Sequence, residues 1–379
     1  LIDDVLIVGA GPAGAVAATV LARAGARVRL IDRASFPRDK LCGDTVNPGT
    51  LAMLRRLKLS AAIERGGLPI EGMLVSGEGG VAVEARYPGG ELGRALVRRD
   101  LDWALLQEAI AAGARLEVST TVRRALMGDG PHPRVSGVVV GSPGTERTIA
   151  ARLVIAADGR RSAVAFGLGL ARHPARPRRW AVGAYFANVH GLSRLGEMHV
   201  RRGRYIGVAP IPGGLANVCL VKPSGSADEA LHDPGLALAR ELARDDALGD
   251  RFAGARLAGP PVVLGPLAVD VKSWAPEGLF LAGDAAGFVD PMTGDGLRFA
   301  VGGAELAAHA ALQVLEHGWN GAHEQLARER RRLFASKWRF NRTLRAFVAS
   351  PAAVTIGGVV ASVAPSILRA VVRRAGDCP

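Results

Sequence analysis

The chain has 379 residues, of which 49% are hydrophobic. That is enough to bury one large core or two joined ones, and it excludes a disordered chain. The formal net charge of +13 comes almost wholly from arginine spread end to end, since lysine occurs only at Lys40, Lys58, Lys222, Lys272 and Lys337. This excludes a discrete nucleic-acid tail; a distributed basic surface attracts any polyanion and says little about partners. Cys42, Cys219 and Cys378 form no CxxC pair and no ligand spacing, so neither disulfide nor metal is expected, and a reducing, cytoplasmic setting fits.

Leu1 to Ala10 read as a strand entering a turn, so no signal peptide is expected. Within it, Val5-Leu6-Ile7-Val8 is a short apolar run suited to a buried parallel strand. It leads into Gly9-Ala10-Gly11-Pro12-Ala13-Gly14 and an Ala-rich helical stretch to Ala24. In this strand, turn and helix, Gly9 permits the turn, Gly11 lets the backbone approach a pyrophosphate, and Gly14 lets the helix pack on the strand. The next strand, Arg27 to Ile31, ends at Asp32, the distance at which a carboxylate binds ribose hydroxyls. The acid argues for FAD or NAD rather than a 2′-phosphorylated dinucleotide.

Two further glycine-rich loops follow apolar strands far downstream. Leu153-Val154-Ile155-Ala156 runs into Ala157-Asp158-Gly159-Arg160-Arg161-Ser162. Leu279-Phe280-Leu281-Ala282 runs into Gly283-Asp284-Ala285-Ala286-Gly287, then Pro291-Met292-Thr293-Gly294-Asp295-Gly296-Leu297 and a long helix. No second GxGxxG stands between a strand and a helix, and no redox CxxxxC is present, which speaks against a separate nicotinamide domain.

With these motifs the chain resembles the p-hydroxybenzoate hydroxylase superfamily over most of residues 1 to 315, and within it the geranylgeranyl-reductase-like branch. The resemblance implies an α/β fold: a Rossmann-type FAD-binding domain with an inserted antiparallel-sheet substrate domain and a C-terminal helical tail. The expected boundaries are 1–69, 91–179 and 271–325 for the FAD-binding domain, 70–90 and 180–270 for the substrate domain, and 326–379 for the tail.

FAD is the implied cofactor and NAD(P)H the electron donor. Gly9, Gly11, Pro12, Ala13 and Gly14 would face the pyrophosphate, Asp32 and Arg33 the adenosine end, and Asp158 and Gly159 the pyrophosphate and nicotinamide use. Gly283 and Asp284 would serve the ribityl chain, while Pro291, Gly294, Asp295, Gly296 and Leu297 would bring a helix N-terminus to the flavin pyrimidine. Reduced flavin carries negative charge there, which oriented N–H groups stabilise. Arg98, in Arg98-Arg99-Asp100-Leu101, matches an Arg-x-x-Leu signature, with Arg99 its competitor. Val122 falls where the family uses a backbone contact to adenine.

Phe36-Pro37-Arg38-Asp39-Lys40-Leu41-Cys42-Gly43 is similar to the FPRxKxCG segment of the reductase branch, and places Cys42 at the wall of the active site or in the core. Tyr205 to Gly214 keeps neither the aromatic strand of the reductases nor the WxWxIP of tryptophan halogenases. Residues 180–222, 70–90 and 256–270 are assigned to the antiparallel sheet. Aromatic residues make up only 5% of the chain, and the mainly aliphatic wall favours a hydrophobic substrate. Cys42, Asp44 and Tyr205, with His199, are the candidate acid/base groups.

The first functional expectation is a flavin monooxygenase hydroxylating an aromatic or polyketide-like molecule with NAD(P)H and oxygen. The second is an alkene reductase acting on an isoprenoid; a non-catalytic flavin-binding protein is the third. At the C-terminus, Arg328 to Arg345 is a basic helix interleaved with aromatics, and 352–368 is uncharged. The tail is read as a buried helix or lid, with peripheral membrane contact as the alternative.

Overall fold

The computed structural model describes residues 2–41, 44–128, 134–175, 178–223, 232–272, 275–350, 353 and 363–376. The apolar run near the N-terminus is strand β1 (Asp3–Val8), buried on both faces. Its period-2 alternation divides it between two cores. Val5 and Ile7 join Val16, Leu21, Leu101 and Ala304, whereas Leu6 and Val8 join Val138, Val154 and Leu279. β1 pairs in parallel with β2 (Val28–Ile31) and with β11 (Arg147–Ala156). β8 (Arg115–Glu117) and β20 (Leu279–Leu281) extend the parallel part, and β9 (Val122–Gly128) and β10 (Arg134–Val140) add antiparallel strands, giving the order β8-β2-β1-β11-β10-β9 with β20 beside β11. Helices α1 (Pro12–Arg23), α4 (Arg98–Ala111) and α8 (Gly296–His317) pack together on one face.

The second sheet has the order β17-β13-β16-β15-β14-β5-β6, from β5 (Gly72–Ser76), β6 (Ala82–Arg86), β13 (Arg179–Ala187), β14 (Leu195–Arg201), β15 (Arg204–Ile211), β16 (Leu215–Pro223) and β17 (Arg256–Leu257). β18 (Val262–Leu264) also pairs with β13. Two features differ from the expected antiparallel sheet over 70–90 and 180–270. β5 and β14 are parallel: they start from the same end, where Glu71 N–H donates to the Arg194 carbonyl at 2.8 Å. The chain also leaves the sheet after Leu264, where Pro266 has no N–H for a ladder and the Gly265 and Pro266 carbonyls accept from Arg161 and Arg160 instead. β19 (Asp270–Val271) pairs with β12 (Ala171–Arg172), outside both large sheets.

One face of this sheet is covered by α6 (Pro234–Ala243) and α7 (Gly249–Phe252), where Val182, Ile206 and Val218 meet Leu238, Leu242 and Phe252. The other face turns Ala181, Tyr205 and Val221 toward Met292, in the turn that precedes α8. A three-stranded sheet of β3 (Thr45–Val46), β7 (Gly93–Ala95) and β4 (Leu68–Ile70) joins the two parts. Beyond α8 follow α9 (Ala322–Ala349), packed on α8, and α10 (Pro365–Gly376), packed on β5 and β6. Among the described residues no helix is long and apolar enough to cross a membrane.

The first glycine turn separates folding from binding. A Cβ on Gly14 would stand 1.8 Å from the Gly9 carbonyl oxygen, while one on Gly11 would meet only the tip of Arg38, at 3.5 Å. Gly14→Val is expected to destabilise the fold by about 4 kcal/mol or more. Gly11→Val is expected to keep the melting temperature of the flavin-free wild type and to lose bound flavin. Circular dichroism melts with the flavin-to-protein absorbance ratio check both, and a fully flavin-loaded Gly11→Val protein contradicts the assignment of that turn.

Candidate functional site

Three strand ends converge on the N-terminus of α1. Gly9, at φ +95°, lies so close to the end of β11 that a Cβ would be 2.6 Å from the Ala157 carbonyl oxygen. Gly283, at φ +58°, would drive a Cβ to within 2.8 Å of the Ala13 Cβ. The first-turn N–H groups of α1 have no side-chain cap and face this junction, an arrangement suited to an anion. Asp32 is fixed by N–H groups of Ala10 and Ala34, both at 2.8 Å. Its backbone carbonyl accepts from Thr120 N–H, two residues before Val122 at the start of β9. Arg33 is exposed.

Arg98 is buried at the first turn of α4 and forks onto Asp102, at 2.7 and 3.0 Å. Arg38 reaches the same carboxylate at 3.0 Å, stacks 4.8 Å over Phe36, and stands beside Gly11. The competitor Arg99 is half-exposed and reaches Asp39 at 3.7 Å, so of the two it is Arg98 that lies inside. Asp158 accepts from Ala163 N–H, at 2.8 Å, at the start of α5 (Ala163–Gly167), whose N-cap is Ser162. Its other oxygen is buried with no hydrogen-bond partner among the described residues, and burial raises its pKa. Burial also raises the pKa of Asp284, against the fields of Lys40, Arg98 and Arg160. A cradle closed to side chains, an uncapped helix N-terminus and this ring of cations fit a dinucleotide pyrophosphate.

At the flavin-side turn, Pro291–Thr293 is a short helical turn capped by Asp290 and closed by Gly294 at φ +67°. Gly296 and Leu297 open α8, and the Asp295 side chain turns away from the cradle. It lies 3.2 Å from Lys337 Nζ and accepts from Asn341, all three being buried. Lys337 also donates to the Arg374 and Ala375 carbonyls, at 2.5 and 3.0 Å. Asp295 thus stands within the Gly294–Leu297 turn while its side chain is engaged by α9.

The candidate acid/base residues separate. Cys42 lies outside the described residues. The Tyr205 hydroxyl donates to Asp290 at 2.5 Å, and its ring lies under the Arg179 guanidinium at 5.3 Å. Burial and the neighbouring carboxylate raise its pKa far above that of a free phenol, and the hydroxyl ties β15 to the turn at Asp290. His199 is held in the interior between Ser76 at 2.8 Å and Glu197 at 2.9 Å. Burial alone would raise the pKa of Glu197, but hydrogen bonds from Arg251 and His199 lower it.

Asp44 remains. It lies on the seam between the two parts, 3% exposed, accepting from the Arg98 N–H at 3.0 Å, from the Asn217 amide and from the Tyr185 hydroxyl. Burial pushes its pKa up to about 6 despite these donors. Tyr185 and Asn217, on β13 and β16, face each other across the ladder. Neither was marked by the sequence, where they sit in ordinary alternating strands.

The FAD binding domain family model matches residues 3–219, more than half of the chain, and the chain belongs to this family of FAD-dependent oxidoreductases. It is similar to a menaquinone reductase from Mycolicibacterium smegmatis, with 29% identity over 99% of this chain and 91% of the relative. It is also similar to a digeranylgeranylglycerophospholipid reductase from Methanosarcina mazei, with 30% identity over 83% and 76%. Among solved structures, a myxobacterial chondrochloren halogenase superposes with TM-score 0.80 over 91% of this chain and 82% of its own, at 24% identity. At that identity the last likeness shows the fold alone. It confirms the α/β flavoprotein architecture with a helical C-terminal region.

Two outcomes follow from the buried charges. A group whose folded pKa lies above its unfolded value of about 4 binds more protons in the folded state, so Asp44's contribution to stability falls as pH rises from about 4 to about 6. In infrared difference spectra, a protonated-carboxyl band is expected to disappear across pH 6 and to be absent from Asp44→Asn. A carboxyl already ionised at pH 4.5 contradicts the reading. Lys337→Met removes the ammonium from the buried Asp295, leaving Asn341 and the field of Arg298, and is expected to cost about 3–5 kcal/mol in denaturant unfolding. Adding Asp295→Asn should restore part of that loss, whereas additive losses would show that the pair is not coupled.

Proposed function

We propose that this oxidoreductase is a reductase that saturates carbon–carbon double bonds in the polyprenyl chain of a lipid, using FAD and an NAD(P)H-type donor. What carries the proposal is the pair of reductase relatives, named for two lipids, one a quinone and one a glycerophospholipid. The chemistry those lipids share is the isoprenoid chain. The reading replaces hydroxylation as the first choice, and it agrees with the mainly aliphatic wall read from the sequence.

In this reading Gly9 to Gly14 and Gly159 approach the pyrophosphate, with Arg98 and Arg38 supplying charge. Asp32, Arg33 and the Val122 backbone take the adenosine end. Asp158 orders its loop, Gly283 and Asp284 serve the ribityl chain, and the turn from Pro291 through Gly294 to Leu297 holds the flavin pyrimidine at the N-terminus of α8. Held there, FAD reduced by two electrons from an NAD(P)H-type donor would supply the hydride and would return to its oxidised form. The chain's own task is to exclude water, orient one double bond and deliver one proton to the other carbon. Asp44, neutral below about pH 6 and ordered by Tyr185 and Asn217, is the proton donor we assign, and it is then reprotonated from solvent.

The test incubates flavin-loaded protein anaerobically with dithionite and a prenylated quinone, and reads the product by mass spectrometry. A gain of two hydrogens in the prenyl chain is the expected product. Asp44→Asn should lower its formation about 100-fold or more while leaving flavin reduction unchanged, and the wild-type rate should fall above about pH 6. A product appearing only with oxygen and carrying an added oxygen atom would restore the monooxygenase and overturn the proposal.

A further inference from the structure

Behind the Gly283–Gly287 loop, α8 and α9 enclose a groove of about 360 Å³ that shares the backbone of Gly283 with the cradle and has Gly287 in its inner wall. That volume is at the lower end of small-molecule sites, roughly 300–1,000 Å³. Phe299, Phe334 and Trp338 line it, with Phe299 packed edge-on to Phe334 at 5.0 Å and 5.7 Å from Trp338. The floor is closed by Arg330, which donates to the Leu281 carbonyl. The rim is formed by Arg331, Arg339 and Arg342, all exposed. No ion pair to a carboxylate is recorded for these three among the described residues, and Arg342 lies 5.7 Å over the Trp338 ring.

The apolar slot and cationic rim do not stand alone. Arg328 and Arg332 are also exposed on α9. α10 reaches the same helix, where Arg374 donates to Ser336 and the end of α10 accepts from Lys337. α10 presents Arg369 and Arg373 together with Ile367, which is 55% exposed. A folded surface seldom leaves so many cations without acids beside exposed apolar groups unless an anionic, partly apolar partner meets them. A soluble polyanion would satisfy the arginines and leave the aromatic slot empty. A basic protein partner is excluded by repulsion.

We infer that this groove is a docking site for an anionic membrane phospholipid, with the phosphate on Arg331, Arg339 and Arg342 and the first part of an acyl chain against Phe334 and Trp338. Arginine suits this role because its planar fork pairs with phosphate oxygens and stacks on the indole. Docking there would place α9 and α10 on the bilayer surface without any span. The inference does not rest on the reductase reading, since a flavoprotein acting on a soluble molecule could use the same surface.

The experiment uses flavin-loaded full-length protein and vesicles of phosphatidylglycerol or of phosphatidylcholine, in flotation assays at low and at physiological salt. Binding to phosphatidylglycerol, weakened by salt, with little to phosphatidylcholine, is expected. The triple reversal Arg331→Glu, Arg339→Glu, Arg342→Glu should weaken it roughly 100-fold, and the same positions changed to Lys should retain most of it. Equal flavin content and thermal melts certify that the variants are folded.

Occupation of the slot, as distinct from surface attraction, is read with phosphatidylglycerol brominated near the head of its acyl chain. Tryptophan fluorescence should be quenched, and the quenched component should be absent in Trp338→Phe. Failure to bind phosphatidylglycerol, equal binding by the triple reversal, or quenching that survives Trp338→Phe would each overturn the inference. So would a dimer in sedimentation that the triple reversal dissociates, which would assign the groove to a second copy of the chain. Each outcome leaves the double-bond reduction assay independently readable.

Discussion

The site depends on a steric constraint at three glycines. Gly14 sits against the Gly9 carbonyl, Gly9 against the end of β11, and Gly283 against Ala13, each closer than any side chain permits. These contacts bring the ends of β1, β11 and β20 and the N-terminus of α1 to one point. Backbone donors and a helix terminus, rather than side chains, then define the cavity's charge. Because the constraint is local in geometry but distant in sequence, segments around residues 9, 157 and 283 are bound to one another through packing rather than through any single hydrogen bond.

The substrate sheet is placed against this cradle by a second, polar set of contacts. Asp44 joins the start of α4 to β13 and β16 through Arg98, Tyr185 and Asn217. Asp290 joins the flavin-side turn to the same sheet through Tyr205 and Arg179, the latter at 3.5 Å. The Arg179 nitrogens have no hydrogen-bond partner among the described residues, so that ion pair is the chief compensation for a buried cation. Arrangements of this kind are costly to break from one side, which makes the seam between the two parts stiff at the points where the substrate must be aligned.

Much of the cradle was legible in the sequence because each part is short-range: an apolar strand, a glycine at a fixed offset, and a helix. Asp32 lies at the end of β2, Gly283 and Gly294 have positive φ in the turns where they were read, and Arg98 rather than Arg99 faces inward because helical spacing puts it four residues before Asp102. What was not legible depends on pairing between distant strands. Tyr185 and Asn217 are brought to Asp44 only by the register of β13 and β16, and the parallel entry of β5 is decided by an insertion more than a hundred residues upstream of β14. Tyr205 and His199 read as free polar groups in alternating strands. Tyr205 meets Asp290, and His199 meets Ser76, only after the sheet closes, while Glu197 holds His199 from its own strand. The fate of Asp295 was hidden for the same reason, since Lys337 and Asn341 come from a helix whose sequence reads simply as basic and amphipathic.

That helix gives the arginine content a structural logic that composition alone did not. Where arginine is buried it is held by carboxylates or carbonyls, as at Arg98, Arg201 and Arg330. Over α9 the exposed guanidinium groups instead gather beside aromatic side chains, and the one buried lysine there, Lys337, is turned inward to Asp295 at the root of α8. The same helix thus carries two separate electrostatic tasks on opposite sides. Its inner face neutralises Asp295 in the turn that opens α8, and its outer face presents guanidinium groups that pair with no carboxylate among the described residues. α9 meets the turn through Lys337 and Asn341 and meets the end of β20 through Arg330, so both faces belong to one rigidly held helix.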